Sequence, residues 1–490
     1  MDTYASRPAA AFSGMARPAY AGADGSLFRG VLAYLVAGFA LVLLIRVHPN
    51  FSFLLVPAAL WSVHRRNALQ LGLLAFMTVL TISNSLFFPR TILFVTAVRL
   101  SFGFIALGNL LFLLSHQGPP PFRQLKLLFG FLIISVFSSI VGWNPLISFL
   151  KLFLFTVFQI AVFGAGAGLA QSRIPVDKFR SITFFLIAYV VYGSVALVPF
   201  PNIGHSMILD RWTHMDAEGL LMQEITLFNG VTWHSQTLGP LLAILNAYVF
   251  AELLRKPGEH RFFYLATLAI IPGLIFYTDS RTGLLSYIIS LIATFVWQGF
   301  IRNRKLIEEK QRRGILLILL LLGPIYLFSL GGLLQMQNFL LKGTRDAESV
   351  TEALQMSRLG LAEYSLKHFI NSPIIGNGFQ VAENMRAYGY QDLALAASAP
   401  IEKGVLPTMV LEETGIVGFA FFMVFIFAVL RSALHFGCLR FLASFTTFIA
   451  LNSGEATFFS VTGPGGLYWT ICILALVIDW KERAPELVHG

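Results

Sequence analysis

The sequence predicts an all-α polytopic membrane protein with about 14 transmembrane helices and one large extracytoplasmic helical loop. Composition is the first observation behind this prediction. In 490 residues the apolar set AVILMFWYC makes up 56%, charged residues make up only 12%, and the mean hydropathy is +0.72. Soluble proteins carry about twice that share of charge, so these charges are too few to cover a globule of this size in water. The composition therefore excludes a soluble enzyme, a coiled coil and a disordered chain.

Apolar stretches of transmembrane length are the second observation, since about 20 residues cross a ~30 Å hydrocarbon core. One further segment, 51–63, is short and would cross only with thinning or tilt of the bilayer. The candidate spans are 29–47, 68–88, 91–114, 125–141, 146–170, 181–200, 233–254, 262–278, 281–300, 314–334, 407–430, 441–459 and 465–479.

The distribution of basic residues is the third observation. If 51–63 crosses, most of the 35 Lys and Arg residues fall in alternate loops, and the positive-inside rule makes that side cytoplasmic. Both termini are then cytoplasmic. The basic residues lie between apolar runs and are not gathered on one polar face, so no nucleic-acid partner is expected. The predicted division is a cytoplasmic tail at 1–28, transmembrane helices at 29–334, an extracytoplasmic loop at 335–406, transmembrane helices at 407–480 and a cytoplasmic tail at 481–490.

The loop at 335–406 is the one sizeable soluble piece that the sequence predicts. The spacing of its apolar residues predicts an amphipathic helix that ends at an Asn-Ser-Pro stop, 371–373. The next turn carries Gly376 and Gly378, and two glycines allow a sharp bend or a close approach to a ligand. A second outer loop, 201–232, carries several charged residues.

Ionisable residues inside the spans are costly and usually pair within the bundle or line a cavity. Arg99 lies ~12 Å into its span, which is too deep to explain by snorkelling; a functional lining and a structural pairing both stay open for it. Lys151 lies near an outer end and is expected to snorkel. Glu455 is expected to be a buried partner for such an arginine.

Three residues on the predicted outer side, two at the ends of spans and one on the loop, could carry chemistry. Arg281 lies in an Asp-Ser-Arg-Thr-Gly junction at 279–283, where a turn and helix cap explain the Asp and Ser, but the arginine faces outward against the charge rule. Arg358 lies on the amphipathic loop helix, where a solvated face is the alternative. His234 opens a span, and a capping or buried hydrogen-bonding histidine is the alternative to a catalytic one.

Motifs for nucleotide or metal chemistry are absent from the sequence. It contains no Gly-x-x-x-x-Gly-Lys-Ser/Thr, His-Glu-x-x-His, Cys-x-x-Cys or Asp-x-Asp, so no cofactor is predicted. The Gly-Ala-Gly-Ala-Gly run at 164–168 is expected to be a small-residue packing face. Cys438 and Cys472 provide no disulfide framework.

Four short motifs follow one another in the second half of the chain. They are Phe-Asn-Gly-Val at 228–231, Ser-Arg-Thr-Gly at 280–283, Arg358 followed by Pro-Ile-Ile-Gly-Asn-Gly-Phe at 373–379, and Glu-Thr-Gly-Ile-Val-Gly at 413–418. In this order and spacing they resemble the O-antigen ligase and O-antigen polymerase superfamily of bacterial membrane glycosyltransferases. The similarity covers about residues 220–430, and the order of the motifs carries it, since no single motif is specific.

The resemblance implies transfer of a glycan from an undecaprenyl-diphosphate carrier to an acceptor hydroxyl at the outer face of the inner membrane, without nucleotide sugar or metal. A departing diphosphate then needs cations, and arginine offers a bidentate fork to phosphate oxygens. Arg281 and Arg358 are the candidates, and Arg211 is a third, although no arginine directly precedes Asn229, where ligases tend to have one. The implied partners are the carrier-linked oligosaccharide and membrane lipid, with a flippase and a chain-length regulator as further candidates.

One departure from the family concerns the general base. Ligases carry a His-Asn pair about eleven residues before the glycine of the Glu-x-Gly segment, where this chain has Gly404 after Ile-Glu-Lys at 401–403. A general base must lie within reach of the hydroxyl, and Glu402 could do so from nearly the same place. The alternative is that Glu402 and Lys403 form a solvated pair at the end of the loop. The further candidate bases are His234, Glu412 and Glu413, and the expected supporting residues are Lys403, Glu413 and Arg99.

The missing histidine favours polymerisation of an exopolysaccharide or O-antigen over ligation to lipid A-core. A transporter of small anions or polysaccharide precursors that shares the scaffold is the alternative from a different class.

The charge rule makes the topology testable. A cysteine placed at Ala347 should react with an impermeant thiol reagent in intact cells, and one placed at Leu306 should not, because the loop at 335–406 is predicted to lie outside. Both are introduced into a chain without its two native cysteines. The reverse labelling would contradict the outward loop and the sites assigned to it.

Overall fold

The computed structural model describes residues 23–65, 68–84, 91–115, 118–209, 224–256, 260–301, 360–383, 403, 405–454, 457–461 and 463–489. Arg211, Arg358, Glu402, Glu455 and the predicted span 314–334 lie outside these residues.

The first half of the described chain is helical, with a 3₁₀ turn at Pro49–Leu54 and a π turn at Ala188–Tyr192. Its helices are α1 (Ala23–Val47), α2 (Leu55–Arg65), α3 (Leu69–Ile82), α4 (Ile92–Ser115), α5 (Pro120–Leu125), α6 (Leu127–Val141), α7 (Pro145–Ala170), α8 (Val176–Ile187), α9 (Gly193–Leu197) and α10 (Pro201–Gly204).

The second half begins with an antiparallel hairpin of β1 (His205–Leu209) and β2 (Glu224–Phe228), in which His205 pairs with Phe228. This hairpin, in the predicted outer loop 201–232, adds two short strands to the predicted helices. The helices that follow are α11 (Ser235–Arg255), α12 (Arg261–Tyr277), α13 (Arg281–Ile301), α14 (Gly360–Asn371), α15 (Leu406–His435), α16 (Leu439–Leu451) and α17 (Pro464–His489).

Eight helical segments of the described chain are long and apolar enough to cross a membrane, and α3, α12 and α16 are shorter apolar helices. The prediction of a mostly helical, polytopic membrane protein is confirmed to this extent. The eight segments are Arg29–Val47, Ile92–Leu110, Pro120–Val141, Pro145–Ala170, Val176–Leu197, Ser235–Arg255, Arg281–Ile301 and Leu406–His435.

Helix α11 forms the centre of the bundle. Every side chain from Ser235 to Leu253 except that of Gln236 is buried, as expected of a helix that is apolar on all sides. It packs against α12, α13, α16 and α17. Because neighbouring helices surround α11, its first residues are held in place at one end of the bundle.

The small residues of α7 form the predicted packing face. A Cβ on Gly164 would lie 2.5 Å from the Cβ of Asn109 on α4, and one on Gly166 would overlap Ile473 on α17. The prediction is confirmed, because only small residues let the three backbones approach this closely.

A buried ion-pair cluster closes the other end of the bundle. Arg440 of α16 is fully buried, and its Nη1 lies 2.7 Å from Asp479 and 2.9 Å from Glu482 of α17. Arg180 of α8 and Arg255 of α11 also pair with these carboxylates, at 2.5 and 2.6 Å. The structure thus brings to one end of the bundle basic residues that the charge rule assigned to one side.

Candidate functional site

The first turns of α11 and α13 meet at the end of the bundle opposite the ion-pair cluster. Ser280 Oγ donates to Gln236 Oε1 at 3.4 Å. A Cβ on Gly239 would lie 2.5 Å from Ser280 Cβ, and one on Gly283 would lie 2.8 Å from the Gly239 backbone. The two glycines therefore allow the two helix N-termini to lie side by side.

His234 caps α11. Its Nδ1 accepts a hydrogen bond from the Gln236 backbone N–H at 3.0 Å. This nitrogen therefore has the capping role that the sequence predicts as the alternative to catalysis. In a neutral imidazole the nitrogen that accepts carries no proton and the other carries it. Nε2 of the half-buried His234 is therefore a donor in this tautomer, suited to hold an anionic group.

Arg281 is the first residue of α13 and is half-buried. Ser280 caps the helix by accepting from the Gly283 N–H at 3.1 Å, as predicted, and Asp279 has a left-handed backbone with φ 53°. Arg281 and His234 thus lie at adjoining helix N-termini, where partial positive charge favours anions. The arrangement can hold a phosphate or diphosphate without a metal.

Helix α15 is broken at Gly415, whose φ is 64° and ψ −172°. The break frees backbone groups on both sides, and the turn after α14 supplies their partners. Asn377 N donates to Glu412 O at 2.8 Å, Gly378 N to Glu413 O at 3.1 Å, and Ile416 N to Pro373 O at 2.8 Å. The predicted span 407–430 is therefore two half-helices joined through the turn.

The backbones at this contact lie so close together that only glycine fits between them. A Cβ on Gly376 would overlap the Glu413 backbone, and one on Gly415 would overlap the Ile374 carbonyl oxygen. Gly376 and Gly378 have φ of 85° and 108°, conformations that favour glycine. The predicted sharp bend is confirmed, and the motifs 373–379 and 413–418 form one structural unit.

A buried charge cluster lies at this unit. Lys403 is 4% exposed, and its Nζ lies 3.1 Å from Glu412 Oε1 and 3.2 Å from Glu413 Oε1. Although burial alone would lower the pKa of Lys403, the two carboxylates raise it, so the ammonium stays charged. The alternative in which Lys403 is solvated is wrong, because the break in α15 provides it with two buried carboxylates.

Lys151 of α7 also belongs to the cluster. It is 4% exposed and lies close enough to Glu413 and Lys403 for the charges to interact. The expected snorkelling is therefore wrong: Glu413 supplies a counter-charge inside the bundle.

His368 of α14 is a residue that sequence reasoning missed. Its Nδ1 lies 3.7 Å from Glu412 Oε1, and its Nε2 lies 3.8 Å from Glu383 Oε2. The available signal was its place on the amphipathic helix, five residues before the Pro-Ile-Ile-Gly turn. Its carboxylate partner Glu412 lies far along the chain, next to the 413–418 motif, so spacing alone could not reveal the pair.

Arg99 of α4 is half-buried, and its Nε and Nη2 have no hydrogen-bond partner among the residues that the structure describes. The structure shows no contact between Arg99 and either the helix N-termini or the charge cluster. In the same residues no three His, Cys, Asp or Glu side chains are placed to hold a metal ion. The predicted site residues Arg211, Arg358 and Glu402 lie outside the described chain.

The break at Gly415 makes a stability prediction. Gly415→Ala places a Cβ against the Ile374 carbonyl and forces a positive-φ, extended-ψ conformation that costs a non-glycine residue about 1–3 kcal/mol by itself, so the temperature at which the detergent-solubilised protein aggregates should fall clearly. Gly299→Ala is the control, since its Cβ would meet nothing within 4 Å in a helix interior. Equal melting of the two variants would contradict the packed turn.

Comparison with known proteins agrees with the motif order. A comparison with curated proteins finds no match. Residues 265–423 match the family model described as O-Antigen ligase, a segment that contains the Ser-Arg junction, α14, the turn and the break in α15. The predicted resemblance is thereby confirmed, and over residues 265–423 the chain is similar to the O-antigen ligase superfamily.

Proposed function

We propose that this protein transfers glycosyl units from an undecaprenyl-diphosphate-linked saccharide to an acceptor hydroxyl at the outer face of a bacterial inner membrane, and so polymerises an exopolysaccharide or O-antigen. The observation that carries the proposal is the placement of His234 and Arg281 at the N-termini of α11 and α13, which are joined by the Ser280–Gln236 hydrogen bond. The family match supports polysaccharide-related glycosyl transfer in general.

The proposed topology has about 14 crossings, both termini in the cytoplasm and the loop at 335–406 outside. Helix α11 supports it. It runs for 21 residues, or about 32 Å, from His234 to the ion-pair cluster around Arg255. If that cluster is cytoplasmic, His234 and Arg281 lie at the outer face.

In the proposed reaction, cations bind the donor diphosphate. Arg281 and Arg358, with Arg211 as a third, offer forks to the phosphate oxygens, and His234 donates from Nε2. The acceptor oxygen attacks the anomeric carbon, the bond to the diphosphate breaks, and the diphosphate leaves with the electron pair. The acceptor proton must pass to a base, and Glu402 is the candidate that the sequence gives for it.

The buried ion pairs favour an enzyme over a transporter. Arg440, Asp479 and Glu482 join α8, α11, α16 and α17 at one end of the bundle. A transporter would have to open that end, and separating buried pairs leaves uncompensated charges at a cost of about 3–5 kcal/mol each. Glycosyl transfer at the opposite end needs no such opening.

The experiment uses the purified full chain in detergent with undecaprenyl-diphosphate-linked oligosaccharide. Polymerisation yields a ladder of products that differ by one repeat, with no gradient or sealed compartment. Product that forms only when lipid A-core is added would show ligation instead. No consumption of donor in detergent, with uptake into sealed vesicles, would contradict glycosyl transfer and favour transport.

The arginines give a sharper prediction in the same assay. Arg281→Ala and Arg358→Ala should abolish product while the protein still inserts, and lysine should rescue poorly because a point charge cannot reproduce the fork. Arg261→Ala, an exposed residue at the other end of the bundle, is the control. Full activity of either site variant at normal expression would remove that arginine from the site.

A further inference from the structure

The imidazole of His368 is held from several sides. Tyr364, one turn earlier on α14, lies edge-on with ring centroids 4.0 Å apart, and Trp143 does so from the α6–α7 connection at 4.8 Å. Its Nδ1 faces the buried carboxylate of Glu412 at 3.7 Å. The ring orientation is therefore fixed by α14, α15 and the α6–α7 connection together.

The two nitrogens of His368 have different surroundings. Nδ1 is buried, whereas Nε2 lies on the side of Glu383, whose side chain is 66% exposed. The His368 side chain as a whole is 12% exposed. Nε2 is thus the nitrogen that a molecule at the surface of the loop can reach.

The carboxylate that faces His368 is already paired with a cation. Lys403 Nζ lies 3.1 Å from Glu412 Oε1 and 3.2 Å from Glu413 Oε1. In the tautomer of His368 that carries its proton on Nδ1, toward Glu412, the lone pair is on Nε2. A charge that forms on the ring would then be stabilised by Glu412 from inside and by Glu383 from outside.

We propose that His368 is the general base of the transfer and that Glu412 is its positioning residue. This inference rests on the proposed function. Nε2 takes the proton of the acceptor hydroxyl as its oxygen bonds to the anomeric carbon, and the carbon–oxygen bond to the diphosphate breaks with the electron pair leaving on the diphosphate. The imidazolium then returns its proton to water.

The other candidates fit this role less well. The Nδ1 lone pair of His234 is occupied by the Gln236 N–H. Glu412 and Glu413 are about 1% exposed and face Lys403, so an acceptor sugar cannot reach them. His368, by contrast, lies on α14 with its Nε2 on the side of the exposed Glu383, where an acceptor at the surface can approach it.

The test measures polymer formation by purified variants in detergent across a range of pH. His368→Gln should lower kcat by about 10²–10⁴, the range for lost general-base catalysis, with KM for the donor nearly unchanged and the acid limb of the pH profile lost. Glu412→Gln should lower kcat while keeping a displaced acid limb. Lys367→Gln is the control: its side chain is exposed and, within the part of the chain that the structure describes, forms an ion pair with Glu363 on the same helix, so activity should stay as in the parent.

Folding and base chemistry are separated by chemical rescue. His368→Ala, compared with the parent at equal amounts of monodisperse protein, should regain activity when imidazole is added, which a merely structural histidine would not do. Parent-like activity of His368→Gln, or a loss that imidazole does not restore, would overturn the inference while leaving the proposed transfer intact. The inference would also be overturned if the acid limb of the pH profile were lost in Glu402→Gln and kept in His368→Gln. Absence of transfer by the parent chain would overturn both.

Discussion

The backbone exchange between the break in α15 and the turn after α14 is the constraint on which the candidate site depends. A helix broken inside an apolar bundle leaves N–H and C=O groups that water cannot satisfy. Here Asn377, Gly378 and Pro373 satisfy them, and Asn377 Nδ2 also donates to His368 O at the end of α14 at 3.0 Å. One turn therefore joins the loop helix to the transmembrane bundle.

The charge cluster follows from this exchange. The half-helix before Gly415 places Glu412 and Glu413 beside each other inside the protein, where two unpaired carboxylates would be very costly. Lys403, at the end of the loop, forms ion pairs with both, and Lys151 of α7 lies close enough to Glu413 for the charges to interact. The cluster in turn places the fixed, buried carboxylate of Glu412 beside His368. The backbone contact between the turn and α15 therefore also positions these side chains.

Local features of the fold could be predicted from the sequence. The end of α14 at Asn371, the bend at Gly376 and Gly378, and the cap by Ser280 all follow from short-range rules of turn and cap chemistry. The packing face at 164–168 could also be predicted, because few residue types allow such close contact.

Charged residues were harder to place, because their partners lie far apart in the sequence. The sequence predicts Lys151 and Lys403 as solvated or snorkelling cations, and only the fold brings Glu413 near them. The carboxylate that faces His368, that of Glu412, likewise lies far from it in the sequence. The hairpin of β1 and β2 pairs two short segments. A search for long apolar runs does not detect such short strands.

Hydrogen exchange of the full chain in detergent tests the backbone exchange most directly. The amides of Asn377 and Gly378 donate to carbonyls of the broken helix, and Phe379 and Val381 beyond them are fully buried. The peptide that covers 376–382 should therefore exchange as slowly as the membrane helices. Exchange at the rate of an exposed loop would contradict the packed turn and, with it, the position assigned to His368 and Glu412.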